Sequence, residues 1–163
     1  MALLSRWVRP PAELRKLLDG HERVLAVADT ESSVAIATQL GLWLPEAGSW
    51  RRVGWDRVVK ATWTEGGLRV IEGALEAGIV TDLPELAVAL VEPRNLPAVV
   101  RARVENSIVR SEQVQVSGGT ARLVARRVPG VDGISWTARL DTGTVDSATA
   151  RAELIVYLAR AAQ

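Results

Sequence analysis

The stretch of sequence on which the fold depends most reads Val34-Ala35-Ile36-Ala37-Thr38-Gln39-Leu40-Gly41-Leu42-Trp43-Leu44. Two short apolar runs flank the tight turn at residues 39–41, a pattern typical of a β-hairpin. The run before it, residues 24–28, reads as a buried strand and is joined to the hairpin by the turn Glu31-Ser32-Ser33. The sequence therefore predicts three consecutive antiparallel strands here.

The same period-two pattern continues on both sides of this stretch. It predicts strands over residues 50–55, 58–64, 68–71 and 86–91, with irregular chain over residues 74–84. Asn95 is a plausible N-cap for a helix that runs to about Val109, with apolar residues spaced four apart at Leu96, Val100, Val104 and Ile108. We expect these elements to form an antiparallel meander closed by an amphipathic helix.

The two ends of the chain add further elements. A helix is predicted after Pro10 and Pro11, with Leu14, Leu17 and Leu18 in one stripe. The last third predicts strands over residues 113–116, 122–128 and 134–140, followed by a helix capped by Asp146 or Ser147. The inner side of that final helix is expected to carry Leu154, Ile155, Leu158 and Ala162.

Composition narrows the class of protein. The chain has 163 residues, 48% of them hydrophobic, with no cysteine and a net charge of +1. These values predict a soluble α+β chain of one domain plus an extension, and they exclude disulfides, thiolate metal sites and cysteine nucleophiles. The first eleven residues lack the apolar core of a signal peptide, and no apolar run reaches the roughly 18 residues that a membrane-spanning helix needs. We expect a cytoplasmic protein.

Residues 22–110 resemble bacterial pleckstrin-homology-like (PH-like) domains. The residues that carry the resemblance are Glu22–Ala28, Val34–Leu44, the step Arg51–Val58, Leu68-Arg69-Val70 and the helix from Asn95. The resemblance implies a bent antiparallel sheet, nearly a barrel, with a C-terminal helix plugging one end. We therefore expect three parts: a leader and short helix at 1–21, the PH-like β-domain at 22–110, and a β-β-β-α extension at 111–163 packed on it. The whole chain also resembles a family of high-GC bacterial proteins, which implies no function.

One departure from that family bears on ligands. Lipid-binding members place basic residues in and beside the first hairpin loop, where they hold phosphates. Here the loop is Asp29-Thr30-Glu31-Ser32-Ser33, which is acidic and would repel an anionic head group. The sequence therefore argues against phosphoinositide binding at that place.

No residue set suggests catalysis, and we expect no enzyme, metal or cofactor. His21 is the single histidine and has no partners at a spacing that would build a triad or metal site. The carboxylate pairs Glu72 with Glu76 and Asp141 with Asp146 lie in no context that would separate their pKa values. The glycine pairs at 66–67 and 118–119 are hairpin turns rather than phosphate loops.

The cluster most suited to form a binding surface comprises Trp50, Arg51, Arg52, Trp55 and Arg57. Tryptophan and arginine dominate the energetic centres of protein interfaces, and both can also contact nucleic acid. The alternative is that Trp55 points into the core while the arginines are solvated. A second basic group comprises Arg122, Arg126, Arg127 and Arg139.

We therefore predict a non-enzymatic protein-binding or scaffold module, whose partner is another protein or a second copy of this chain. The alternative is a peripheral membrane- or nucleic-acid-associated protein that uses the leader, residues 1–9, and the arginine-rich strands. The balanced charge argues against nucleic acid.

Overall fold

The computed structural model describes residues 9–163, which form three helices and eleven strands. The strands are β1 (Val24–Thr30), β2 (Val34–Thr38), β3 (Gly41–Glu46), β4 (Ser49–Gly54), β5 (Val58–Thr64), β6 (Gly67–Glu76), β7 (Ile79–Asp82), β8 (Leu86–Glu92), β9 (Ile108–Val116), β10 (Gly119–Arg127) and β11 (Ile134–Leu140). The helices are α1 (Ala12–Arg15), α2 (Leu96–Ser107) and α3 (Ala148–Ala161), and a 3-10 turn at Trp55–Arg57 joins β4 to β5.

The strands form one large open sheet that branches at its longest strand. From one edge the order is β4-β3-β2-β1-β8-β6, and β6 then pairs with β5 through its first half and with β7 through its second half. Beyond β7 the order continues β11-β10-β9. All pairings are antiparallel except β7 with β11, which is parallel. The predicted mixture of helices with a large antiparallel sheet is confirmed.

The first core lies between α2 and the sheet. Every residue of β2 is buried because both of its faces are covered. Ala35 and Ala37 face the core shared with α2, whereas Val34 and Ile36 face a smaller cluster covered by α1. Leu14 of α1 is fully buried in that cluster, so this short helix shields the outer face of the first strands.

Helix α2 packs on the first core through its apolar side. Leu96 and Val100 are buried against the core, and Pro97 stands in the first turn, where its missing N–H costs nothing. Asn95 precedes the helix as predicted, but its side chain makes no capping hydrogen bond. The helix ends at Ser107, so Ile108 begins β9 instead of extending the apolar stripe.

A second core lies between α3 and the sheet formed by β7, β11, β10 and β9. Leu154 is fully buried among Ile79, Leu123 and Ala138. Ser147 caps α3 by accepting a hydrogen bond from the backbone N–H of Ala150 at 3.1 Å, as predicted.

Three other predictions of local structure are wrong. Residues 74–82, which were expected to be irregular with the rest of 74–84, form a hairpin: β6 continues to Glu76 and turns through Ala77 and Gly78 into β7, which pairs back on it. This turn has positive φ at both central residues, the geometry of tight hairpins, and alanine rarely adopts it. Helix α1 is a single turn, and Ile155 lies on the outer side of α3 with 48% of its surface exposed.

Candidate functional site

The predicted tryptophan–arginine cluster on β4 is occupied by contacts within the chain. Trp55 is 2% exposed and its indole Nε1 donates to the backbone oxygen of Thr38 at 2.9 Å. Trp50 packs against the small apolar cluster that contains Leu14 of α1. Its Nε1 donates to the backbone oxygen of Val34 at 3.0 Å. Both indoles therefore serve the fold.

Arg52 is held by a fully buried carboxylate. The Glu22 side chain is 0% exposed, and its two oxygens accept from Thr38 Oγ1 at 2.6 Å, Trp43 Nε1 at 2.8 Å and Arg52 Nη1 at 3.0 Å. The Arg52 guanidinium also pairs with Asp19 at 3.1 Å and lies 5.5 Å from the centre of the Trp43 ring. This network ties the chain before β1 to β3 and β4.

The remaining arginines of that cluster are paired as well. Arg51 contacts Glu72 at 2.6 Å and Glu46 at 3.2 Å, and the hydrogen bond to Glu72 raises the pKa of the guanidinium. Arg57 lies 3.5 Å from Asp56. Because each cation already has an internal carboxylate, the cluster offers little unpaired charge to a partner.

The second basic group is also distributed among internal contacts. Arg122 lies directly opposite Arg139 on the neighbouring strand, and Arg139 makes a two-pronged contact with Asp82 at 2.6 and 2.8 Å. Arg126 and Arg127 hold the end of α2 against β10 through Ser107 Oγ at 2.9 Å and the Asn106 oxygen at 3.2 Å. Burial lowers the pKa of Arg126. Strand β10 lies inside the sheet, between β9 and β11.

Two other predicted features bear on ligands. The loop after β1 keeps its acidic character, and Asp29 pairs with Arg94 at 3.0 Å. The leader lies outside the described residues except for Arg9. Within residues 9–163, no helix is long and apolar enough to cross a membrane.

The single histidine lies beside a polar pocket without metal-site geometry. A pocket of about 710 Å³ is lined by His21, Glu22, Arg52, Asp56 and the loop 128–130. Glu22 and Arg52 already satisfy each other there. In the part of the chain that the structure describes, no three histidine or acidic side chains are arranged to hold a metal ion.

The surface between β5 and α2 is accessible and was not among the predicted sites. A groove of about 810 Å³ runs between β5 and α2. Its apolar lining comes from both elements and from the start of β6: Ala61, Trp63 and Leu68 on the sheet side, and Pro97, Val100 and Val104 on the helix side. Leu68 and Val100 form the buried floor, whereas Trp63 is 44% exposed. The groove thus has a buried apolar floor and an accessible tryptophan side chain at its side.

Strand β5 is an edge of the sheet. It pairs with β6 alone among the described strands, so one side of its backbone has no strand partner in this part of the chain. Trp63 lies opposite Leu68 in the register and shares its face, while Thr62 lies opposite Arg69 on the other face. An unpaired strand edge beside an apolar groove is the arrangement that lets an extended peptide add as a further strand.

The ends of the groove carry charge. Lys60 and Arg101 are exposed on its rim, and Glu105 pairs with Arg101 at 3.1 Å. Lys60 makes no ion pair with any residue of 9–163. In the register Lys60 lies opposite Ile71 and shares the face of Thr62, so it lies on the face of β5 away from Trp63.

The sequence predictions did not include this site. Trp63 and Lys60 stand on a correctly predicted strand, but the sequence does not show that the strand is an edge or that α2 lies beside it. Comparisons with protein-family models, with curated proteins and with solved structures found no match to this chain.

Proposed function

We propose that the chain is a non-enzymatic protein-binding module that takes up an extended peptide segment in the groove between β5 and α2. The observation that carries the proposal is the free edge of β5 beside an apolar groove. Backbone hydrogen bonds to a strand edge supply affinity, and pockets for alternate side chains supply specificity.

The expected ligand has a defined chemistry. It is an extended segment with apolar side chains at alternate positions, directed at Trp63 and the floor at Leu68 and Val100. Between those positions, on the face of β5 that carries Lys60, we expect an acidic residue opposite that lysine. Tryptophan on an accessible wall buries a large area with little loss of rotamer freedom, which suits it to anchor such a segment.

We also propose that residues 22–110 form a PH-like module. The strand order β4-β3-β2-β1-β8-β6-β5, followed by α2 across one opening, supports this. In this proposal β7 is an insertion in the module and the segment 111–163 is an addition to it. We further propose that the protein is cytoplasmic, as expected from the sequence.

A peptide selection tests the function. A displayed library of random peptides of about 12 residues, long enough to span an edge strand, is selected on the full chain, and the enriched peptides are synthesised and titrated by calorimetry. We expect Trp63→Ala to lower their affinity about tenfold or more, while Thr62→Ala, on the other face of the same strand, leaves it unchanged. Equal loss in both variants, or no enrichment of any peptide, contradicts the proposal.

The two lysines of the chain provide an internal control. Lys60 lies on the groove, and Lys16 lies exposed at the end of α1. Acetylation with a lysine-reactive reagent, read by mass spectrometry, should slow at Lys60 when a selected peptide is bound and stay constant at Lys16. Protection at both lysines, or at neither, would place the peptide elsewhere.

A further inference from the structure

Strand β9 forms another edge of the sheet, at the end opposite β4. Its nine residues, Ile108–Val116, pair with β10 alone among the described strands. Most of its side chains are exposed, including Ile108 at 40% and Val109 at 45%. Exposed strand edges this long are templates for adding another strand unless the sequence prevents it.

The centre of β9 reads Arg110-Ser111-Glu112. Arg110 lies opposite Ala125 and Glu112 opposite Leu123 on β10, so both charges project from the same face of the sheet. Neither forms an ion pair with any residue between 9 and 163. Within the described residues, two opposite charges without an ion pair therefore stand on either side of Ser111.

This arrangement is complementary to itself. When a strand pairs antiparallel with its own copy about a two-fold axis at one residue, positions equally far before and after that residue lie opposite each other. With the axis at Ser111, Arg110 of one copy lies opposite Glu112 of the other, twice. Side chains directly opposite in such a pair are about 4.5–5.5 Å apart between Cβ atoms.

We infer that the edge of β9 is an interface between two copies of this chain, paired antiparallel about Ser111. Pairing joins the sheets of the two copies through β9 and covers the exposed side chains of Ile108 and Val109. A strand without the matching charges would leave Arg110 and Glu112 facing unpaired groups, so the same residues discriminate against foreign strands. The interface lies apart from the β5 groove, so the inference is independent of the proposed function.

Charge reversal tests the inference with four proteins: the unaltered chain, Arg110→Glu, Glu112→Arg, and the double variant that exchanges the two charges. Sedimentation velocity over a concentration series measures the dimer. We expect each single variant to dimerise roughly tenfold more weakly, because both cross-strand pairs become like-charged. The double variant should dimerise like the unaltered chain.

The decisive arm mixes the two single variants. One of them carries glutamate at both positions and the other carries arginine at both, so in a mixed pair each cross-strand contact again joins opposite charges. An equimolar mixture should therefore recover the dimer that each variant alone has lost. Thermal unfolding by circular dichroism checks that all four proteins fold alike, as expected for exposed positions. The inference is overturned if the unaltered chain stays monomeric throughout, if single reversals leave the dimer unchanged, or if mixing restores nothing.

Discussion

Strands β4 and β5 are consecutive in the chain, lie at two edges of the same sheet and both carry tryptophan and basic residues. On β4, the indole of Trp50 and the guanidinium of Arg52 end on partners inside the chain, and α1 covers the outer face. On β5, Trp63 and Lys60 border a groove. The difference lies in the acceptors: aromatic and cationic side chains become available to a ligand only where the fold supplies no partners for them.

The largest effect should come from removing the buried acceptor at β4. Glu22→Ala deprives Thr38 Oγ1, Trp43 Nε1 and Arg52 of their shared carboxylate. We expect the free energy of unfolding to fall by about 3 kcal/mol, because buried donors are left unsatisfied. Urea denaturation measures it, with Glu22→Gln as the control that keeps an acceptor and costs less. A loss under about 1 kcal/mol would mean that this network does not hold β4.

The tryptophans of the two strands should separate stability from binding. Trp50→Ala removes an indole packed under α1 and should cost about 2–3 kcal/mol of unfolding free energy, whereas Trp63→Ala should cost about 1 kcal/mol or less because that indole is 44% exposed. Affinity for a selected peptide should instead fall strongly in Trp63→Ala and stay nearly unchanged in Trp50→Ala. Parallel urea melts and peptide titrations provide both values, and a peptide affinity that depends on Trp50 as strongly as on Trp63 would remove the distinction.

The smallest effect on the free energy of unfolding should come from the exposed ion pair between Arg139 and Asp82, in contrast to the buried carboxylate of Glu22. The hydrogen bond from Arg139 lowers the pKa of Asp82, so this contact stabilises the folded chain above the ordinary aspartate pKa near about 3.9 and is lost as the pH falls through the lowered value. Because both side chains are over a third exposed, we expect Asp82→Asn to cost under about 1 kcal/mol at about pH 7.

Unfolding measurements on Asp82→Asn at low pH check whether the charge of Asp82 is responsible. The difference in unfolding free energy between Asp82→Asn and the unaltered chain should shrink as the pH falls below about 4, because Asp82 is then protonated in the unfolded chain and, below its lowered pKa, in the folded chain as well. A difference that stays constant from about pH 7 down to about pH 2.5 would show that the substitution acts through something other than this charge.

The sequence was sufficient where strands are short and marked by turns. The predicted bounds of β2 and β5 match the observed ones because apolar runs end at Glu31-Ser32-Ser33, Gln39-Leu40-Gly41 and Glu65-Gly66-Gly67. It failed over residues 74–84, because the turn at Ala77 and Gly78 needs a positive φ that alanine rarely adopts. There the pairing of β7 with β6 and β11 overrides local preference.

The candidate site was beyond the sequence for a related reason. Arg52 is separated by 30 residues from Glu22, and Trp63 meets α2 across a long stretch of intervening chain that includes three further strands. Residue type and spacing identify which side chains are capable of binding, but the topology decides which of them find partners inside the chain. The preference for the cluster at β4 in the sequence analysis was made without that information.

Amide hydrogen exchange of the full chain, with and without a peptide selected on it, tests the open edge of β5 most directly. We expect new protection at alternate backbone amides of Val58–Thr64, since only every second N–H points to the free edge, and no change along Ser49–Gly54. Protection along β4 instead, or a bound peptide that leaves the amides of β5 exchanging as before, would contradict it.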